Sequence, residues 1–149
     1  MLKKIKKKLT IRNLLIFLLL IIFLFAITKI SLFFYDLHMN GIKTRALIDD
    51  VYASFINKET NEEIIKIDFP KLLSINRDTV GWIKANNGKV NYPIVQTTTN
   101  TYYLNKSFDK TYNQAGSIFM DYRNRSSFQD RNVVLFGHSM LDKTMFGSL

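Results

Sequence analysis

The sequence of 149 residues contains no cysteine, only two histidines and only two prolines. Without cysteine it has no disulfide, so a domain outside the cytoplasm must be stabilised by packing alone. The missing thiols also exclude cysteine-based metal sites and a thiolate nucleophile within these residues. The Gly-x-Ser-x-Gly pattern typical of many serine hydrolases is absent as well.

Acidic residues are missing from the start of the chain. The first 12 residues contain six basic residues and no acidic one, and they supply six of the formal net charges of +9. Nucleic-acid binding is one interpretation of such a cluster, but we do not favour it. The cluster adjoins an apolar segment, and the remainder carries only 15 basic against 12 acidic residues.

A long apolar run follows the basic cluster. Residues 14–27 are all apolar, and residues 14–35 include a single charged side chain, Lys29. At about 1.5 Å per residue, a helix of this length crosses a hydrocarbon core of about 30 Å. The positive-inside rule predicts a cytoplasmic segment 1–13, a membrane anchor 14–35 and an extracytoplasmic remainder. A cleaved signal peptide is the alternative, but no small-x-small cleavage site follows Ile27.

The next part, residues 36–78, is predicted to be helical with one connection. Ile48, Val51, Tyr52 and Phe55 follow helical spacing within a helix expected over residues 36–58. A polar connection over residues 58–66 precedes a short helix over residues 68–76. In that helix Asp68 suits the N-cap position, Pro70 the first turn and Asn76 the end.

Residues 79–149 change to strand patterns. Two runs rich in β-branched and aromatic residues, 80–84 and 90–96, flank Asn87-Gly88, which is a strong hairpin signal. Pro93 predicts that the second of these strands is an edge strand or bulged. Further strands are expected over residues 115–122 and 132–136, with a polar loop over 123–130. Short helices capped by Asn100 and Asp142 are expected over 101–106 and 142–149.

The fourth strand leads directly into Gly137-His138, which places an imidazole at the end of a sheet. Histidine is the most frequent general acid/base, because its pKa lies near neutrality. Ser139 is badly placed as its nucleophile, since adjacent residues of an extended chain point to opposite faces. His138 has no companion for a metal site, and His38 is interpreted as a solvated residue just outside the membrane. The Arg123-Asn124-Arg125 segment is interpreted as a solvated face rather than an anion site.

Several motifs, in order and closely spaced over about residues 45–149, resemble those of class B sortases. They are Gly81-Trp82-Ile83, Asn91-Tyr92-Pro93-Ile94-Val95-Gln96, Tyr102-Tyr103-Leu104, the run from Ala115 to Asn124, Gly137-His138-Ser139-Met140 and Met145-Phe146-Gly147. The single N-terminal anchor and the helices before the first strand are similar too.

The resemblance implies a membrane-anchored cysteine transpeptidase of Gram-positive bacteria with an eight-stranded β-barrel. Such enzymes cleave a sorting signal after threonine, hold a thioester and pass the acyl group to a cell-wall amine, without a cofactor or metal. The implied partners are sorting-signal peptides, a peptidoglycan precursor amine and the membrane, with no nucleic acid. The motifs match a catalytic His138, an acid/base, and place Leu104 in the wall of the substrate groove.

The catalytic cysteine and arginine of the family have no counterpart in this chain. Arg123, Arg125 and Arg131 precede His138 and do not match the family's arginine. We therefore expect a mainly β fold with N-terminal helices: one transmembrane helix before the N-terminal part of a truncated sortase barrel, residues 79–149. Open edges and one open apolar face would make it poorly stable, and without the family's cysteine and arginine we expect it to be inactive. The alternative is a non-catalytic, membrane-anchored β-domain that binds a peptide or a cell-wall component.

Overall fold

The structure, a computed structural model, describes residues 11–56 and 63–149. The chain divides into two compact units, Met1–Asp36 and Leu37–Leu149. The first helix, α1, extends over Ile11–Val51. Among the described residues α1 is the one helix long and apolar enough to span a membrane, with a mean hydropathy of 2.8 in its most apolar window. This finding rests on length and composition. Most of the predicted cytoplasmic segment lies outside the described residues.

The helix predicted over residues 36–58 ends earlier in the structure. Strand β1, Tyr52–Ile56, follows α1 and pairs antiparallel with β2, Glu63–Ile67. The helix prediction is therefore wrong for residues 52–56, and the connection predicted for 58–66 is wrong for 63–66, while residues 57–62 lie outside the described part. The Tyr52 ring stacks on Trp82 with 5.9 Å between centroids, a tertiary contact that helical spacing does not reveal.

The short helix is confirmed as α2, Phe69–Ile75. The Asp68 carboxylate accepts the Lys71 N–H at 3.0 Å, which satisfies one of the free donors at the helix start. Pro70 occupies the first turn, and the N–H of Asn76 closes the helix on Leu72. Each of the three sequence signals thus has the role predicted for it.

A four-stranded sheet follows, in the order β3-β4-β5-β6. Its strands are β3, Thr79–Ala85; β4, Val90–Val95; β5, Ile118–Met120; and β6, Leu135–Phe136. The hairpin between β3 and β4 is confirmed as antiparallel. Asn86, Asn87 and Gly88 have φ values of 50°, 53° and 83°, so the turn uses residues that tolerate the left-handed region.

Strand β4 is an interior strand, and the edge predicted from Pro93 is wrong for the strand as a whole. β4 pairs antiparallel with β3 and parallel with β5, where Ile94 faces Ile118 and Val95 faces Phe119. The irregular register with β3 lies at residues 79–81, opposite Ile94 and Val95 rather than Pro93. Pro93 is accommodated because the ladder with β5 begins only at the next residue.

Both faces of β4 and β5 are buried, so the expected open apolar face is not found on these strands. On one face, Val95 and Phe119 pack with Val51, Leu72 and Phe108. On the other face, the buried cluster consists of Ile94, Ala115, Ile118, Met120 and Met145. Alternation of side chains along each strand divides the core in this way.

The sheet is not closed, as expected, and in the described part β3 and β6 each pair on one side only. The two final helix predictions are not confirmed as made. Only a 3₁₀ turn, Tyr102–Leu104, forms within residues 101–106, and Asn100 does not cap it. Asp142 accepts the N–H and hydroxyl of Thr144 at 3.0 and 2.6 Å in a turn, and no helix forms there.

Two glycines provide a matched stability test. Gly116 has φ +62°, and a Cβ there would lie 2.5 Å from the Tyr103 carbonyl oxygen, whereas a Cβ on Gly41 in α1 would meet nothing within 4 Å. We expect Gly116→Ala to lower the free energy of unfolding by about 1–3 kcal/mol. We expect Gly41→Ala to raise it by about 0.5–1 kcal/mol. Denaturation of the full chain in micelles, followed by fluorescence of the single tryptophan, measures both, and equal effects would contradict the account.

Candidate active site

His138 follows the last strand of the sheet. β6 pairs antiparallel with β5, so that Phe119 faces Phe136, and their rings stack at 5.3 Å between centroids. Because the strands are antiparallel, the chain leaving Phe136 runs toward the start of β5. His138 therefore emerges at the N-terminal end of β5, which confirms its placement at the end of a strand.

Gly137 allows the end of β6 to lie close to the Ile118 side chain and the Phe146 ring. A Cβ built on it would lie 2.5 Å from Cδ1 of Ile118 and 3.0 Å from the Phe146 ring. Cβ atoms essentially never come within 3.0 Å of a neighbour, so any other residue here would require the Ile118 side chain to shift and would crowd the Phe146 ring. The Gly-His pair of the sequence thus combines close packing with an imidazole at the sheet end.

The chain after His138 folds back on itself. The Phe146 N–H donates to the His138 carbonyl oxygen at 2.9 Å, and Ser139 forms an antiparallel bridge with Met145. Met145 is 5% exposed and lies in the core cluster of Ile118. These contacts fix the His138 backbone from two directions.

The His138 side chain is half-buried. Within residues 11–56 and 63–149, its ring takes part in no hydrogen bond or ion pair, including any with Ser139. The imidazole is therefore free, with respect to the described residues, to exchange a proton with a bound group. His38 is exposed, and no group of three or more potential metal ligands occurs in the described part of the chain.

Leu104 reaches the same end of β5 from another direction. It ends the 3₁₀ turn Tyr102–Leu104, and its side chain is 42% exposed. The Ser117 N–H, one residue before β5, donates to the Tyr103 carbonyl oxygen at 3.0 Å. The structure thus brings the Leu104 segment and His138 to one end of one strand. No hydrogen bond joins them, and their functional roles remain predictions.

A buried polar network, which the sequence did not reveal, holds the Leu104 segment in place. The Tyr103 hydroxyl donates to Asp78 Oδ2 and accepts from Asn76 Nδ2, each at 2.7 Å. Asn76 also donates to the Phe108 carbonyl, and Lys110 pairs with Asp78 at 2.9 Å. Burial raises the pKa of the Tyr103 phenol, with the Asn76 hydrogen bond opposing this and Asp78 adding to it, so the hydroxyl keeps its proton.

Asp121 organises the loop between β5 and β6. Its buried carboxylate accepts three N–H groups of Arg123, at 2.9, 3.0 and 2.7 Å. Arg125 lies 3.8 Å from Asp130, so Arg123 and Arg125 each have an acidic partner, although their side chains are over 70% exposed. The hydrogen bonds with Arg123 hold the pKa of Asp121 well below its usual range.

Comparison with known proteins supports the resemblance seen in the sequence, although no protein-family model matches the chain. The chain is 34% identical to sortase B of Staphylococcus aureus over 147 residues, 98% of this chain and 57% of that protein. It is 33% identical to sortase B of Listeria monocytogenes over 131 residues, 86% of this chain and 52% of that protein. The chain therefore spans about half the length of the curated relatives it matches.

Solved structures agree with these relatives. Sortase B from Bacillus anthracis in complex with AAEK1 superposes with a TM-score of 0.63 at 40% identity, covering 77% of this chain and 54% of that one. The Staphylococcus aureus sortase B–substrate complex superposes with a TM-score of 0.50 at 46% identity, covering 53% of this chain and 37% of that one.

Fold and sequence together define a sortase-type domain, with a long apolar N-terminal helix and a mixed β-sheet that is not closed. Within that class, the chain is a homologue of the class B sortases over most of its length.

The depressed pKa of Asp121 makes a prediction about acid stability. The carboxylate favours the folded state at pH values above its unfolded pKa of about 3.9, and this contribution is lost as the pH falls toward the lower folded-state pKa. We expect Asp121→Asn to flatten the decline of thermal stability between about pH 4 and pH 2. Asp49→Asn, at an exposed position of α1, is the control. The account is wrong if both variants keep the wild-type pH profile.

Proposed function

We propose that this chain provides the histidine and part of the peptide groove of a class B sortase, a cysteine transpeptidase. The observation that carries the proposal is a half-buried imidazole at the end of β6, without a hydrogen-bond partner among the described residues, in a chain homologous to class B sortases. The matching motif at residues 137–140 assigns His138 the role of general acid/base.

The chemistry assigned to His138 is proton transfer. In sortase-type transpeptidation, a thiolate attacks the threonine carbonyl carbon of the sorting signal, and the amine of the following residue leaves as a thioester forms. The incoming amine then attacks that thioester, and the thiolate leaves as the new amide forms. The imidazolium protonates that leaving amine, and the neutral imidazole then takes a proton from the incoming cell-wall amine. The 149 residues contain no cysteine, so the nucleophile of this reaction must come from outside them.

The substrate proposed for the groove is a sorting-signal peptide. Solved relatives include a sortase B–substrate complex and a sortase B complexed with triglycine. In this chain Leu104 and Tyr102 expose about 40% of their side chains beside the start of β5, which gives a peptide an apolar contact near His138. The acceptor proposed is a peptidoglycan precursor amine.

Location at the membrane is part of the proposal. The apolar part of α1 and the six basic residues before it support a single-pass anchor with a cytoplasmic N-terminus and an extracytoplasmic domain. A second candidate function, a non-catalytic membrane-anchored domain that binds a peptide or a cell-wall component, is favoured by the lack of a thiol in these residues.

The missing thiol predicts the result of an activity assay. We expect the full chain in nanodiscs, given a sorting-signal peptide and an amine acceptor, to form no transpeptidation product above a His138→Ala control. A histidine without the nucleophile leaves no acyl-enzyme route. Product formation that depends on His138 in this preparation, detected by mass spectrometry, would overturn the prediction.

The proposed position of Leu104 in the groove predicts that its truncation weakens peptide binding. We expect Leu104→Ala to weaken binding of a sorting-signal peptide by about 1–2 kcal/mol, roughly 5- to 30-fold in Kd, because a partly exposed leucine loses apolar contact area. Leu141→Ala is the matched control, since Leu141 is fully exposed and lies outside the proposed groove. Fluorescence anisotropy with the full chain in nanodiscs measures both. Equal affinities would remove Leu104 from the groove.

A further inference from the structure

The loop that follows His138 has an unfavourable backbone conformation. Lys143 and Met145, neither of them glycine, have φ values of 65° and 52°. Side chains with a Cβ adopt this left-handed region rarely, and they remain there only where surrounding contacts hold them. Met145 is bridged to Ser139, and the Phe146 N–H donates to the His138 carbonyl oxygen, so this loop contacts the backbone of His138 and of the residue after it.

One side chain from outside the loop binds its backbone directly. The Tyr92 hydroxyl accepts the Met145 N–H at 3.1 Å, at the residue with the unfavourable φ. Tyr92 lies on β4, whose pairing with β5 begins two residues later at Ile94. The bond therefore connects an interior strand of the sheet to the loop that carries His138.

We propose that Tyr92 is a positioning residue for His138. Its hydroxyl holds Met145 in the left-handed conformation, and the backbone contacts of Met145 and Phe146 transmit this to the position of the imidazole. The catalytic meaning of this role rests on the proposed function of His138, whereas the positioning itself does not.

Packing alone does not account for the hydroxyl. Tyr92 is half-buried and contacts the core cluster of Ile94, Ile118 and Met145, and a phenylalanine ring would keep this contact. Replacing Tyr92 by phenylalanine removes the acceptor and leaves the Met145 N–H without its partner. The substitution therefore removes the hydrogen bond to Met145 while it keeps the contact of the ring with the core.

The experiment uses the two histidines of the chain as reporters. The full chain is prepared in micelles with ¹³C-labelled histidine Cε1, which gives one signal from His38 and one from His138. In Tyr92→Phe we expect the His138 signal to shift by more than its line width or to split, while the His38 signal stays in place. Tyr112→Phe is the matched control, because the Tyr112 side chain is 65% exposed and donates or accepts no hydrogen bond among the described residues.

A second variant tests the cause of the shift. Lys143 is exposed and shares the loop, so Lys143→Gly relieves backbone strain without removing core contacts. In the Tyr92→Phe background we expect it to return the His138 signal toward its wild-type position. A core defect at Tyr92 would not respond to a substitution at an exposed loop residue.

Wild-type hydrogen exchange gives a test that does not depend on a folded variant. We expect the Met145 amide to exchange at least about tenfold more slowly than the fully exposed Leu141, after correction for sequence. Exchange of Met145 as fast as Leu141, or an unchanged His138 signal in folded Tyr92→Phe, would overturn the proposal. Neither result depends on turnover or peptide binding, so failure here is distinct from failure of the proposed function.

Discussion

The parallel pairing of β4 with β5 is the constraint on which the rest of the domain depends. Only two residue pairs form it, Ile94 with Ile118 and Val95 with Phe119, yet all four side chains are buried, one pair in the core of each face. The helices α1 and α2 supply Val51 and Leu72 to one core, and the loop after His138 supplies Met145 to the other. Because burial of apolar area is the main stabilising term, both the fold and the site converge on β5.

Segments outside the helices and strands are fixed by hydrogen bonds from specific side chains, because the strands next to them are short. Tyr103 fixes the segment before β5 through Asn76 and Asp78, while Gln96 donates to the carbonyls of Asp121 and Asn124 at 2.8 and 2.7 Å. These hydrogen bonds supplement the few backbone hydrogen bonds of the short strands β5 and β6. They also give partners to polar groups whose burial without a partner would be costly. The position of His138 is therefore a product of tertiary contacts on both sides of a short strand.

The sequence predicted local structure well where the signal was local. The cap at Asp68, the hairpin at Asn87-Gly88 and the strand that leads to Gly137-His138 depend on neighbouring residues, and all three are present. The helix predicted from the spacing of Tyr52 and its neighbours is too long, because the packing of the Tyr52 ring on Trp82 overrides helical spacing. The prediction from Pro93 that β4 is an edge strand is wrong, because the residues that pair with β4 on its second side, in β5, lie far from Pro93 in the sequence. For the site, the placement of His138 was predictable, but Tyr92 and Asn76 were not, since their partners lie 53 and 27 residues away.

The central claim is that one end of β5 brings the Leu104 segment and His138 together into one peptide site. The most direct measurement is an NMR titration of the full chain in micelles, labelled at leucine methyl groups and histidine Cε1, with a sorting-signal peptide. The account predicts that the Leu104 and His138 signals move together along one binding curve, while Leu141 and His38 stay unchanged. Movement of only one of the two, or of neither at saturating peptide, would contradict it.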